Sequence, residues 1–166
     1  NSFNHFMELE NKSIDESILN KYFQLTNYYR ENRVNFRWLI TECAKKLHKE
    51  DLCPAIFFVF SKKTCFSLAE AIHESFNDDN EARQVEQDIN YYLSKLEHKD
   101  DYKKTPQFYR LFALAKKGIA VHHSGLIPVF KEIIELLFSK HLIKVLFATE
   151  TFASKLAIKA LAPPSI

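Results

Sequence analysis

The stretch from Gly118 to Ala153, GIAVHHSGLIPVFKEIIELLFSKHLIKVLFATETFA, has the pattern of a strand, a helix and a second strand. Gly118 ends an upstream helical run, and the short apolar segment 119–121 is followed by turn residues that include Ser124, Gly125 and Pro128. The next run keeps a broad apolar stripe at helical spacing, and residues 143–148 have the apolar character of a buried strand. The stretch therefore predicts a βαβ unit, with two parallel strands joined by a crossover helix.

Polar residues follow both predicted strands at the point where each strand ends. His122, His123, Ser124 and Gly125 follow the first strand, and Thr149, Glu150 and Thr151 follow the second. Because parallel strands place their carboxyl ends at the same edge of a sheet, where open α/β sheets bind ligands, these residues are expected to form one site.

Composition sets the class of protein. A chain of 166 residues with 46% hydrophobic residues, 15 Phe and only 2 Gly is typical of one helix-rich globular domain with a small appendage. The net charge of +2 gives no whole-chain argument for a nucleic-acid partner, so any such argument depends on local motifs. The sequence shows no pattern of a membrane span, and no membrane partner is expected.

The cysteines indicate a compartment. Cys43, Cys53 and Cys65 form no CxxC pair and are odd in number, which favours free thiols in a reducing environment. A cytoplasmic location is expected, with the nucleus as the alternative.

The chain is predicted to divide into three parts. Residues 1–35 are expected to form an arm with a helix over 14–29, residues 36–153 the main domain, and residues 154–166 a tail of different character. In the main domain, helical periodicity covers 36–47, 64–76, 81–96 and 106–115, and an apolar run predicts a strand over 55–60. More helix lies between the first two strands than one crossover needs, so an insertion is expected at about 77–105.

Several motifs have plainer interpretations. Phe57, Phe58 and Phe60 are expected to belong to the core rather than to a base-stacking surface, because they lie in a strand flanked by helices. A metal role for His122 and His123 lacks further ligands at suitable spacing. A serine hydrolase built on Ser124 lacks a GxSxG turn. Lys62 could be a solvated surface lysine, and Thr149 an ordinary hydroxyl at a strand end.

Three segments carry a resemblance to a known family. They are PAIFFVFSKKTC at 54–65, GIAVHHSGLIPVFKEIIELLF at 118–138 and IKVLFATETFA at 143–153. In order and spacing they resemble the second RecA-like domain of the superkiller-type (Ski-like) DExH-box helicases of superfamily 2, over roughly residues 36–153. The resemblance implies a three-layer α/β fold with a mostly parallel sheet, and a lobe of an ATP-dependent RNA helicase.

The resemblance also implies roles for the polar residues. Ser61 and Lys62 match motif IV, near the nucleic-acid path. The segment from His122 through His123, Ser124 and Gly125 to Leu126 matches a loop that grips the phosphate backbone. Thr149 and Glu150 match motif V, where the threonine contacts a backbone phosphate and the neighbouring positions couple that contact to ATP. Hydroxyl groups, backbone N–H groups at helix starts and cations hold phosphate without reading sequence.

The departures from the family concern ATP. Motif V continues in the family with a glycine and an acidic or amide residue near the nucleotide, whereas this chain has Lys155 and Ala157 at those places. A Gly-rich phosphate loop, a DExH sequence and an arginine-rich motif VI are also missing from this sequence. We therefore expect ATP and Mg²⁺ to be bound mainly by a first RecA-like lobe of the same protein, and this chain alone to be inactive as an ATPase.

The resemblance implies RNA, the first lobe and exosome-type RNA decay factors as partners. The alternative is a degenerate lobe that keeps the fold but acts as a protein-interaction module.

Overall fold

The computed structural model describes residues 35–149, together with residues 20, 23, 24 and 27. Contacts divide the chain into two compact units, Asn1–Phe36 and Arg37–Ile166. Most of the helix predicted over 14–29, the site residue Glu150 and the tail over 154–166 lie outside the described residues. The proposed boundaries of the three parts remain predictions.

The described part of the second unit contains helices and three strands, with four helices in succession between the first two strands. Its elements, with α1 beginning at the last residue of the first unit, are α1 (Phe36–Lys49), β1 (Ala55–Phe58), α2 (Lys62–Glu70), α3 (Asp79–Ser94), α4 (Lys99–Lys103), α5 (Pro106–Lys116), β2 (Ile119–His122), α6 (Pro128–Ser139) and β3 (Val145–Ala148). No helix among the described residues combines the length and apolar character needed to cross a bilayer.

The three described strands form one parallel sheet in the order β1-β3-β2. Ile119 pairs with Val145 and His122 with Ala148, so the predicted βαβ unit is confirmed. Every residue of β2 and β3 is buried, and because successive side chains point to opposite faces, both faces of these strands are covered. This arrangement confirms the helix-rich α/β class and is consistent with a RecA-like fold.

The aromatic run of β1 does not have the burial predicted for it. Phe57 stacks on Phe147 with ring centroids 5.2 Å apart, as a core residue does. Phe58 is 59% exposed and Phe60 is 95% exposed, so assigning these two residues to the core was wrong. β1 is at an edge of the described sheet and Phe58 is its last residue, while Phe60 lies beyond the strand, so neither ring is enclosed between the sheet and a helix.

The helix predicted over 64–76 is observed as α2 and is shorter than expected. It ends at Glu70 instead of continuing to residue 76. The backbone N–H groups of Phe76 and Asn77 donate to the carbonyl oxygen of Lys117, at 2.8 and 3.3 Å, so this segment bonds to the start of β2 instead of to its own preceding turn.

Asn77 and Gly118 close the amino-terminal edge of the sheet. Gly118 has a φ of +79°, a conformation that side chains disfavour, and a Cβ there would lie 2.7 Å from Asn77 Oδ1. The Asn77 amide donates to the carbonyl oxygen of Leu142 at 2.9 Å, and the Gly118 carbonyl accepts from Lys144 at 2.7 Å. These contacts fix where β2 and β3 begin, and therefore where they end at the opposite edge.

The helix α3, within the expected insertion, is attached to the βαβ unit by side chains. The Tyr92 hydroxyl donates to Glu132 on α6, and this bond, followed by burial, raises the pKa of Tyr92 to about 12. Lys140 pairs with Asp88 at 2.9 Å, near the end of α6. The helix is thus held against α6.

Candidate nucleic-acid interface

Seven of the eight predicted site residues lie at the carboxyl edge of the sheet, where β1, β2 and β3 end. We call them the strand-edge cluster: Ser61, Lys62, His122, His123, Ser124, Gly125 and Thr149. The eighth, Glu150, is outside the described residues. The backbone N–H of Thr149 donates to the His122 carbonyl oxygen at 3.3 Å, which ties the ends of β2 and β3 together.

The β1 end joins the same cluster through Lys62. A Cβ built on Gly125 would lie 3.5 Å from Lys62 Cδ, so the lysine stem runs along the loop after β2. Ser61 caps α2, and its hydroxyl oxygen accepts from the Thr64 N–H at 3.4 Å. This cap starts the helix at Lys62 and directs an exposed ammonium group to the edge.

His123 holds the loop after β2 in its turn. Its Nδ1 accepts from the Gly125 N–H at 3.0 Å, and its ring packs edge-on against Phe66 at a centroid distance of 5.8 Å. A Cβ on Gly125 would lie only 3.1 Å from the ring, so the absence of a side chain at this position lets the backbone approach the imidazole. His123 is 6% exposed, and its role in this conformation is to shape the loop.

The electrostatic surroundings of His123 are positive. Burial, followed by the charges of Lys62 and Lys131, lowers the pKa of its imidazole below the ordinary value. The neutral ring is therefore favoured, with Nδ1 as the acceptor for Gly125. Lys131 was not predicted as a site residue; its place in the first turn of α6, directly after the loop, was the signal that could have identified it.

His122 is fixed by a different element. Its Nε2 lies 3.3 Å from Glu135 Oε1 on α6, and the two side chains are 7% and 20% exposed. This contact links the end of β2 to the crossover helix. Sequence analysis missed Glu135, because its partner lies 13 residues away across a loop.

Most backbone amides of the loop already have partners. The N–H groups of Gly125 and Leu126 donate to His123 Nδ1 and to the His123 carbonyl oxygen, and that of Ile127 donates to Gln107 Oε1 at 2.7 Å. An anion at this edge would therefore be bound by side-chain donors, because these backbone amides are already hydrogen-bonded. The donors that suit it are the ammonium groups of Lys62 and Lys131 and the hydroxyl groups of Ser124 and Thr149.

The described residues contain no cluster of metal ligands, and the loop after β2 does not resemble a nucleotide-binding phosphate loop. No group of three or more His, Cys, Asp or Glu side chains within them could hold a metal ion. The loop after β2 has one glycine, and its amides at 125–127 are already used, unlike a glycine-rich loop that cradles phosphates. The chemistry of the edge is that of a small cationic and hydroxyl-bearing surface.

Comparison with known proteins identifies relatives of one kind. The chain is 44% identical over 113 residues to the antiviral helicase SKI2 of Saccharomyces cerevisiae. The matched residues make up 68% of this chain and 9% of the yeast protein. It is 43% identical over 115 residues to the human exosome RNA helicase MTR4, covering 69% of this chain and 11% of that protein. It is 43% identical over 122 residues to the Arabidopsis thaliana DExH-box ATP-dependent RNA helicase DExH9, covering 73% of this chain and 12% of that protein.

No family model matches the chain. The chain spans about a tenth of the length of these curated relatives. The identities are nevertheless 43 to 44% over 68 to 73% of the chain. The chain is thus a homologue of a segment of the Ski2- and Mtr4-type DExH-box RNA helicases.

Proposed function

We propose that this chain is the second RecA-like motor lobe of an ATP-dependent RNA helicase, and that the strand-edge cluster holds the phosphate backbone of RNA. The observation that carries the proposal is the convergence of three strand ends on one edge, where Lys62 approaches the loop after β2. The human and Arabidopsis relatives are named RNA helicases and the yeast relative is named a helicase, which supports the proposal.

The donors at this edge suit phosphate and not a particular base. Lys62 and Lys131 supply charge, while Ser124 and Thr149 supply hydroxyl groups. Contacts of this kind position a nucleic acid without reading its sequence. Binding should therefore tolerate any single-stranded RNA and weaken with added salt, because phosphate contacts release counterions.

The histidines act indirectly in this proposal. His123 sets the turn that presents Ser124, and His122 anchors the strand end to α6. Both histidines are buried, so they position the more accessible donors around them.

ATP and Mg²⁺ belong elsewhere in the proposed protein. Since the described residues offer no metal-holding group, we assign both mainly to a first RecA-like lobe. The edge described above would hold RNA from one side while the two lobes close on ATP. Exosome-type RNA decay factors are proposed as partners because one relative is named an exosome RNA helicase, and a cytoplasmic location, or a nuclear one, is proposed with them.

Fluorescence anisotropy with labelled single-stranded RNA tests the RNA contact. We expect affinity that is micromolar or weaker at low salt and lower at moderate salt. Thr149→Val should weaken binding without changing the melting temperature. If the chain binds no RNA at either salt concentration, the phosphate-holding role is wrong, and a protein-interaction module becomes the better account.

The lobe assignment has a separate test in the gene that encodes this chain. We expect a phosphate loop and a DExH sequence upstream of these residues and an arginine-rich motif downstream. A coding sequence without them, in a chain that still binds RNA, would keep the RNA contact and refute the motor lobe.

A further inference from the structure

Phe60 is the most exposed large apolar side chain among the described residues, with 95% of its surface open to solvent. It follows β1 directly, and the Val59 N–H still bonds the Ala148 carbonyl oxygen at 2.8 Å beside it. The backbone at Phe60 is therefore anchored on one side by the sheet. The exposed side chain therefore lies between the end of β1 and the start of α2, and not at the tip of a long loop.

Phe57 and Phe58, the neighbouring aromatic residues in β1, lie on opposite faces of the sheet. Phe57 stacks on the buried Phe147 and belongs to the core. Phe58, the last residue of β1, is 59% exposed, and Phe60 follows two residues later at a bend in the chain. The carboxyl end of β1 thus presents two aromatic rings, Phe58 and Phe60, that the described core does not cover.

The residues after Phe60 are polar and cationic. Ser61, Lys62 and Lys63 are all exposed, and Lys62 lies along the loop of the strand-edge cluster. An exposed ring followed directly along the chain by a hydroxyl residue and two exposed lysines is the combination of residue types found in grooves for single-stranded nucleic acid, where cations meet the backbone and aromatic rings meet the bases. Lysine is depleted from protein–protein interfaces, so the same surroundings disfavour a protein partner at this ring.

We propose that Phe60 is a stacking platform for an RNA base whose backbone phosphate is held by Lys62. This inference rests on the proposed function and adds a base contact to it. Because every base has a flat π face, such a contact would strengthen binding without strong preference for sequence. The proposal also accounts for a fully exposed phenylalanine at this edge.

The test uses two labelled probes of equal length: a single-stranded RNA, and an abasic ribose-phosphate oligomer that keeps the charges and lacks the bases. We expect Phe60→Ala and Phe60→Leu to weaken RNA binding by between about fivefold and a hundredfold, the range for losing one stacked base. Phe60→Tyr should bind RNA within about twofold of the original chain, because its ring still stacks. Binding of the abasic oligomer should be the same for all four chains.

Tyr109→Ala is the matched control, since Tyr109 is another exposed aromatic, 66% exposed, on α5. It should leave RNA affinity unchanged. The melting temperature of Phe60→Ala should equal that of the original chain, because the side chain has few contacts to lose.

The possible failures are distinguishable. If Phe60→Ala binds RNA as the original chain does while Thr149→Val binds more weakly, the stacking role is wrong and the phosphate contact stands. If Phe60→Ala weakens both probes equally, Phe60 does not act through bases and the inference is again wrong. If the original chain binds neither probe, both the inference and the proposed function fall.

Discussion

The loop after β2 should lose stability in acid because of His123, and the replacement His123→Leu tests this. Leucine fills much of the space of the imidazole beside Phe66 but cannot accept the Gly125 N–H, which His123 Nδ1 holds at 3.0 Å. Leaving a partly buried donor without its acceptor costs about 1 to 2 kcal/mol. We expect that loss in the free energy of unfolding near neutral pH.

The loss should shrink as the pH falls. Burial and the charges of Lys62 and Lys131 hold the pKa of His123 below its ordinary value of about 6.5, so the folded chain binds this proton less readily than the unfolded chain. Stability from the neutral ring is complete above that ordinary value and declines as the pH falls through the lowered one, by at most about 1.4 kcal/mol per pH unit. The difference between His123→Leu and the original chain should therefore be smaller at about pH 5.5 than near neutral pH.

Urea unfolding followed by circular dichroism at about pH 7.5, 6.5 and 5.5 measures the effect. His73→Gln is the control variant, since His73 is an exposed histidine that follows α2. A gap between His123→Leu and the original chain that stays constant over the whole range would refute the argued role of the neutral imidazole.

Two further predictions concern the scaffold. Gly118→Ala should lower the free energy of unfolding by about 2 to 4 kcal/mol, from left-handed strain plus displacement of the Asn77 amide that lies 2.7 Å from the new Cβ. In urea unfolding, Asn77→Ala should lower the free energy of unfolding by less in the Gly118→Ala background than in the original chain. If the losses of the two single variants simply add in the double variant, the clash is contradicted. Tyr92→Phe should leave the rise of tyrosinate absorbance unchanged up to about pH 11, because the pKa of Tyr92 is raised to about 12; an earlier loss of signal would contradict the Glu132 bond.

The βαβ unit was the most predictable part of the fold. The predicted strand over 119–121 is observed as Ile119–His122, and the crossover helix begins at Pro128 as its turn residues indicate. Gly118 and Pro128 mark these boundaries through their own backbone preferences, and the helical stripe is local in sequence. Local chemistry was sufficient here, and it also located the strand ends that carry the site.

Features that depend on distant residues were not predictable in the same way. The early end of α2 follows from bonds of Phe76 and Asn77 to Lys117, some forty residues later. The exposure of Phe58 and Phe60 depends on which strands flank β1, and an apolar run cannot specify its neighbours. The partnership of His122 with Glu135 requires the crossover helix to be in place. Sequence identified the residue types of the site, while the fold determined which of them face solvent.

The central claim is that the strand-edge cluster binds the backbone of RNA, and the salt dependence of binding tests it most directly. The affinity of the original chain, of Lys62→Ala and of Lys49→Ala for labelled single-stranded RNA should be measured between about 50 and 200 mM salt. Lys49 is an exposed lysine at the end of α1, before β1 begins and hence at the other edge of the sheet. We predict that Lys62→Ala binds more weakly and that the slope of log affinity against log salt becomes shallower by about 0.7, while Lys49→Ala changes neither. Equal slopes for the original chain and Lys62→Ala would contradict the claim.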